Sequence, residues 1–263
     1  MFSLYLECRQ EEKDGLIAEL WGRGSSGITE SDLSSGGCGL RAFFEADAHA
    51  PGLAHEFSSW SAHWENEEPR DWVAVARSRL EPQCVGSRFF LVPEWRDDPA
   101  PQGRFRIEVN PGMAFGTGAH ESTQLCLEAL EQELKPGMTV LDVGTGSGIL
   151  AQASALLGAR RVIACDTDPV AVKLARQPLS FIGTVDAVRA GSVDLVLANI
   201  SPEAVVTLAP ELMRVLRANG IAIVSGFEAP EVPAVEAVLR ANGAIVRTPA
   251  SKNNWTALVA IRA

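Results

Sequence analysis

Apolar residues recur at two spacings along this chain, and the spacings define its elements before any composition is counted. Phe2, Leu4 and Leu6 fall at period two, the mark of a half-buried strand. From Glu11 to Trp21 the apolar positions Leu16, Ile17, Leu20 and Trp21 shift to helical spacing and stop before Gly22 and Gly24. Gly27–Glu30 and Leu40–Phe44 read as two further strands around a Ser/Gly-rich turn at Ser34–Gly39. A helix is expected after Pro51, with Leu53, Phe57 and Trp60 on one face. The order βαββα matches the start of a small ferredoxin-like α+β unit. Between Glu65 and Arg106 the pattern loosens. A short helix over Trp72–Leu80, a strand over Arg88–Val92 and a loop over Asp97–Gly103 are expected there. This places a recognition domain at 1–65, a linker region at 66–105 and a larger domain at 106–263.

The second half alternates strand and helix. Strands are expected at Thr139–Val143, Arg161–Cys165, Leu179–Ile182, Val193–Ala198, Ile221–Ser225, Ala244–Val246 and Trp255–Ile261. Helices are expected at Glu121–Glu133, Gly148–Leu157, Pro169–Ala175, Glu203–Ala218 and Glu231–Ala241. Continuous apolar runs such as Leu195-Val196-Leu197 suit a parallel sheet covered on both faces. The fold class is α/β: a Rossmann-like, doubly wound sheet. No helix fits between Val246 and Trp255, so the last two strands must form an antiparallel hairpin.

Composition narrows the setting. The chain has 46% apolar and 21% charged residues, ordinary for a globular protein. Its formal charge of −10 disfavours direct nucleic-acid binding or an anionic membrane surface. Five cysteines without a C-x-x-C pair fit a reducing cytoplasm better than a disulfide framework. The opening MFSLYLECRQ lacks the features of a signal peptide. Residues 1–105 carry 10 Lys+Arg against 18 Asp+Glu, whereas 106–263 carry 13 against 15. That asymmetry suggests two units with different tasks.

The sharpest local signal is Val140-Leu-Asp-Val-Gly-Thr-Gly-Ser-Gly-Ile-Leu150, a buried strand running through three glycines into a helix. Such a turn lets a ligand approach the backbone and adds the donors of a helix N-terminus. The spacing is G-x-G-x-G, with Asp142 two residues upstream, not the G-x-G-x-x-G of dinucleotide folds. Asp166 ends the next strand, where a carboxylate can accept from two ribose hydroxyls. Asp142, Gly144, Gly146 and Asp166 are therefore cofactor candidates, and S-adenosylmethionine fits them better than a pyrophosphate-bearing nucleotide. Asp168 is expected to cap the following helix, with Pro169 in its first turn.

Asn199 closes the fourth strand, where open α/β sheets bind ligands. Its amide oxygen can accept from an amine nucleophile or from the cofactor's amino group, which makes it the catalytic candidate. The alternative is that Asn199 and Pro202 simply begin the next helix. The run Asn110-Pro-Gly-Met-Ala-Phe-Gly-Thr-Gly-Ala-His-Glu-Ser-Thr123 is glycine-rich around Phe115, Gly116 and Thr117, and suggests a cover over the cofactor. His120 reads as a helix-start residue more readily than as a base.

That run, together with Leu141–Leu150, Cys165–Pro169 and Ala198-Asn-Ile200, resembles the bacterial family of methyltransferases that modify large-subunit ribosomal protein eleven (PrmA-type). Asp71-Trp72 and Val92-Pro-Glu-Trp95 are also similar to its linker region. The resemblance implies a substrate-recognition domain followed by a class I methyltransferase domain using S-adenosylmethionine. It places Thr123, Gly144, Asp166 and Asn199 at the cofactor. It also implies N-methylation of lysine or N-terminal amino groups of a basic ribosomal protein. The chemistry of methyl transfer needs no metal, and a monomer is expected. Glu121 stands where the family carries proline, and the segment between Pro169 and Asn199 is about eight residues short. Adenine contacts from Val185 or Asp186 are open for that reason. A methyltransferase-fold protein with another substrate, a non-catalytic relative and an NAD binder remain the alternatives.

Overall fold

In the computed structural model, residues 2–33, 37–44, 52–66, 81–109, 120–175, 177 and 179–263 are described. Contacts cluster into two compact units, Met1–Arg79 and Leu80–Ala263. In the first, the period-two stretch forms β1 (Phe2–Cys8) and the helical stretch α1 (Lys13–Gly22). β2 (Gly27–Asp32) and β3 (Cys38–Phe44) follow, then α2 (Leu53–Glu56) and a single 3-10 turn at Ser58–Trp60. A fourth strand, β4 (His63–Asn66), pairs antiparallel with β1 and completes the order β2-β3-β1-β4. The unit is therefore a whole βαββαβ, not five elements of one. Leu4, Leu6, Leu16, Leu20, Leu40, Phe44 and Phe57 form its core.

The second unit begins with a small sheet that the loose sequence pattern concealed. β5 (Gln83–Val85), β6 (Phe89–Pro93) and β7 (Phe105–Val109) pair side by side. All five residues of β6 are buried. Val85, Phe89, Leu91, Ile107 and Val109 share a core with α3 (Glu121–Glu133). From Leu80 onward the stretch expected to be a linker thus belongs to the larger unit, because its apolar run needs a face to cover it. The expected helix at Trp72–Leu80 lies outside the described residues, as do Asp71 and the cover-loop positions Phe115, Gly116 and Thr117.

The main sheet follows the alternation. Its strands are β8 (Thr139–Val143), β9 (Arg161–Asp166), β10 (Leu179–Ile182), β11 (Val193–Asn199), β12 (Leu216–Glu228), β13 (Ala244–Val246), β14 (Ala250–Lys252) and β15 (Trp255–Arg262). The path is β10-β9-β8-β11-β12-β15-β13, with β14 on β15. The first five strands of that path run parallel; β15 is antiparallel to β12, β13 and β14. The helices between them are α4 (Ile149–Leu156), α5 (Pro169–Leu174), α6 (Pro202–Val215) and α7 (Val232–Ala241). Strand alternation sorts two cores: Val140, Leu195, Leu197 and Ile223 face α3 and α4, whereas Leu141, Val196, Ala198 and Val224 face α6 and α7.

One helix ends earlier than its periodicity suggests. α6 stops at Val215 because Leu216 pairs with Val193 and starts β12. The reversal of chain order between β8 and β11 leaves a crevice at the carboxyl ends of the strands. Among the described residues no helix is long and apolar enough to cross a membrane.

Candidate active site

The crevice is a cavity of about 470 Å3, of a size that holds small-molecule ligands. Its floor is the glycine turn. Gly144, Gly146 and Gly148 take φ of 67°, 53° and 79°, a region L side chains rarely enter. Gly144 is also crowded: a Cβ there would lie 2.4 Å from Ile200 Cγ2. Backbone N–H groups of Gly144 and Thr145 donate to the Cys165 carbonyl at 2.9 and 3.0 Å, tying the turn to β9.

Asp142 does not line the cavity. It is 1% exposed, and its Oδ2 accepts from Thr145 Oγ1 at 2.7 Å and from the Ala151 N–H at 3.1 Å. Burial pushes its carboxyl up to about 6, against the downward pull of those two donors. In this structure its carboxylate holds the turn against the first turn of α4. Oδ1 of the same carboxylate is buried without a hydrogen-bond partner.

Asp166 does line the cavity. Its Oδ2 accepts from the Gly146 N–H at 2.9 Å and its Oδ1 from the Asp168 N–H at 3.0 Å. Each carboxylate oxygen can accept more than one donor, so lone pairs remain for hydroxyl groups. Asp168 itself caps α5 by accepting from the Val170 N–H at 2.8 Å, with Pro169 in the first turn.

Asn199 and Thr123 meet at the cavity wall. Asn199 Nδ2 donates to Thr123 Oγ1 at 3.1 Å, while Asn199 Oδ1 is buried without a partner. An orphaned acceptor costs free energy unless something donates to it, and this one belongs to a residue that lines the cavity. Val185 is buried in the core and the Asp186 carboxylate takes the Thr184 hydroxyl at 2.6 Å; neither borders the cavity.

Thr145, Ile200, Ser201, Gly226 and Trp255, not among the residues expected at the site, also line the cavity, as do Ser122, Ile149, Leu150 and Thr167. Trp255 had a legible signal: it opens an antiparallel strand, so it sits at the carboxyl edge of its parallel neighbours. Its ring meets that of His120 edge-on, with centroids 4.3 Å apart. His120 is the N-cap of α3, and its Nδ1 contacts Ser122 Oγ at 2.7 Å. Burial, and then Asp142, push the Cys126 and Cys165 thiols each up to about 12.

Sheet order, antiparallel terminal strand and glycine turn define a class I S-adenosylmethionine-dependent methyltransferase. The family model described as ribosomal protein L11 methyltransferase (PrmA) matches residues 29–263. The chain belongs to that family. It is 39% identical over 211 residues to the ribosomal protein L11 methyltransferase of Pelobacter propionicus, covering 74% of this chain and 68% of that one. The corresponding figures for the namesake from Symbiobacterium thermophilum are 37% over 207 residues, 76% and 67%. A crystal structure of ribosomal protein L11 methylase from Lactobacillus delbrueckii subsp. bulgaricus superposes with a TM-score of 0.65 at 31% identity, covering 70% of this chain and 99% of that one.

Proposed function

We propose that this chain transfers methyl groups from S-adenosylmethionine to lysine or N-terminal amino groups of ribosomal protein L11. The observation that carries the reading is the unpartnered, buried Oδ1 of Asn199, a residue that lines a cavity shared with Asp166 and the glycine turn.

Bound S-adenosylmethionine supplies an already activated methyl group, so the protein's work is alignment and desolvation. The turn at Gly144–Gly146 and the Asp166 carboxylate are the groups that would hold it. Asn199 Oδ1 accepts an N–H from the incoming amine and points its lone pair for in-line attack. A lysine ammonium, with an ordinary pKa of about 10.4, must first lose a proton. Transfer out of water lowers that pKa and favours the neutral amine. Ile149, Leu150, Ile200 and Trp255 give the cavity the apolar lining for this.

The acidic first unit has a task in this scheme. Residues 1–79 hold 7 Lys+Arg against 14 Asp+Glu, a balance that attracts a basic substrate and raises its encounter rate. We assign substrate recognition to this unit, and cytoplasmic, monomeric action to the chain.

Incubation with purified L11 and isotope-labelled cofactor, followed by peptide mass spectrometry, tests the reading. Methyl increments on L11 amines are expected. Cofactor binding in calorimetry without any such increment would sink the substrate assignment, and binding of NAD in place of S-adenosylmethionine would sink the activity. Reversing acidic charges of the first unit should raise KM for L11 and leave cofactor affinity alone.

A further inference from the structure

Cys8 is the last residue of β1 and Cys38 the first of β3, and they are direct cross-strand partners. Both are buried, at 6% and 2% exposure, in the core of the first unit. Opposed residues of an antiparallel pair point to one face, with Cα atoms about 4.5 or 5.5 Å apart. Both spacings fall within the roughly 4.4–6.8 Å that a disulfide spans. Cys8 also forms part of the wall of an open cavity of about 430 Å3, together with Glu7, Arg9, Glu12, Gly37 and Trp60. Cys8 is thus the member of the pair that borders a cavity open to solvent.

We propose that Cys8 and Cys38 are a reversible dithiol–disulfide site, oxidised by exchange with a low-molecular-weight disulfide. Cys8 gives up its proton and, as thiolate, attacks one sulfur of the small disulfide. A mixed disulfide forms, and the first small thiolate leaves and takes up a proton. Cys38 then loses its proton, attacks the Cys8 sulfur and expels the second small thiol. Overall, two protein thiols become one disulfide and one small disulfide becomes two thiols. The closed link ties the two central strands together at the end where the cavity opens. Burial, and secondly the neighbouring Cys38 thiol, hold the Cys8 thiol above its ordinary range. Exchange is consequently slow at neutral pH and quickens in alkali.

The competing view is that two small apolar side chains merely fill the core. All five cysteines are free thiols and Cys84 alone is exposed, so Cys84→Ser in the full chain removes the surface competitor. That variant is incubated with oxidised glutathione at mildly alkaline pH, quenched in acid, unfolded, alkylated and mapped by mass spectrometry. The expected result is a linked pair of peptides holding Cys8 and Cys38, loss of two of the four alkylatable thiols, and full recovery with a reductant. Recovery of all four thiols as alkylated residues, or a glutathione adduct on Cys8 that Cys38 never resolves, would overturn the proposal. Adding Cys38→Ser should trap that adduct on Cys8, and a folded variant without it would equally refute the route. Should that variant fail to fold, the map of the Cys84→Ser chain decides alone.

Discussion

Asn199 and Thr123 lie 76 positions apart and are joined by a single hydrogen bond of 3.1 Å from the Asn199 amide to the Thr123 hydroxyl. Thr123 is fully buried in the first turn of α3, and Asn199 ends β11. The bond fixes which way the amide faces and leaves Oδ1 without a hydrogen-bond partner. Thr123→Val keeps the shape and removes the acceptor. A neutral hydrogen bond contributes about 0.5–1.5 kcal/mol, so kcat should fall by roughly two- to tenfold. Thr123→Ser should restore it. Unchanged kinetics in the valine variant would show that Asn199 is oriented by something else.

Asp166 serves the turn and the ligand together. Asp166→Ala should weaken binding of S-adenosylmethionine by about 1–3 kcal/mol, the scale of lost polar contacts. It should also lower the melting temperature, because the Gly146 and Asp168 N–H groups lose their acceptor. Calorimetric titration and thermal denaturation separate the effects. Full affinity in the variant would place the ribose elsewhere.

The Asp142 carboxyl gives stability a dependence on pH that runs against the usual carboxylate case. Its pKa in the folded chain is raised from 3.8 to about 6 by burial. Between those values the folded chain binds more protons than the unfolded one, so this residue adds stability as pH falls through 6 and loses it as pH rises. Asp142→Asn abolishes that contribution. Melting curves should show the difference between wild type and variant growing in wild type's favour from neutral pH towards pH 4. A constant difference would mean that Asp142 does not titrate there.

His120 caps a helix, and a cap is worth about 0.5–2 kcal/mol when replaced by alanine. His120→Ala should lower stability by that amount. Asparagine is a good cap without an imidazole, so His120→Asn should retain both stability and rate. A collapse of kcat in the asparagine variant, with loss of a limb of the pH profile, would identify His120 as a base instead.

Gly144→Ala meets two penalties. A positive φ of 67° costs a non-glycine residue about 1–3 kcal/mol, and the new methyl collides with Ile200 Cγ2. Cofactor affinity and melting temperature should both drop. Ile200→Leu removes the colliding branch and should recover part of the loss, leaving the backbone penalty. No recovery at all would show that the clash is relieved elsewhere.

Much of this architecture was legible from spacing. Glu121–Glu133 and Leu179–Ile182 fall where periodicity put them, and the hairpin followed from the short interval between Val246 and Trp255. Other features depend on partners distant in sequence. His63–Asn66 is short and, apart from Trp64, polar, and becomes a strand through pairing with β1. Phe89–Pro93 is an uninterrupted apolar run whose covering helix lies about thirty residues on. Asp142 showed an acid beside a glycine turn, and its residue type alone cannot tell a ligand contact from a brace. Only the burial and the Thr145 and Ala151 donors distinguish them.

α3 is gripped at both ends. Near its start it carries Thr123 against Asn199 and Glu121 accepting from Asn253 at 2.8 Å. Two turns later the Glu131 carboxylate takes the Ser87 and Arg88 N–H groups, each at 3.0 Å. Adding or removing one residue between those grips would turn one end about 100° against the other and shift it by about 1.5 Å. Either the small sheet or the Asn199 amide would then lose its hold. Insertions and deletions that drift through related chains should therefore spare the interior of this helix, whatever they do to the loops around it.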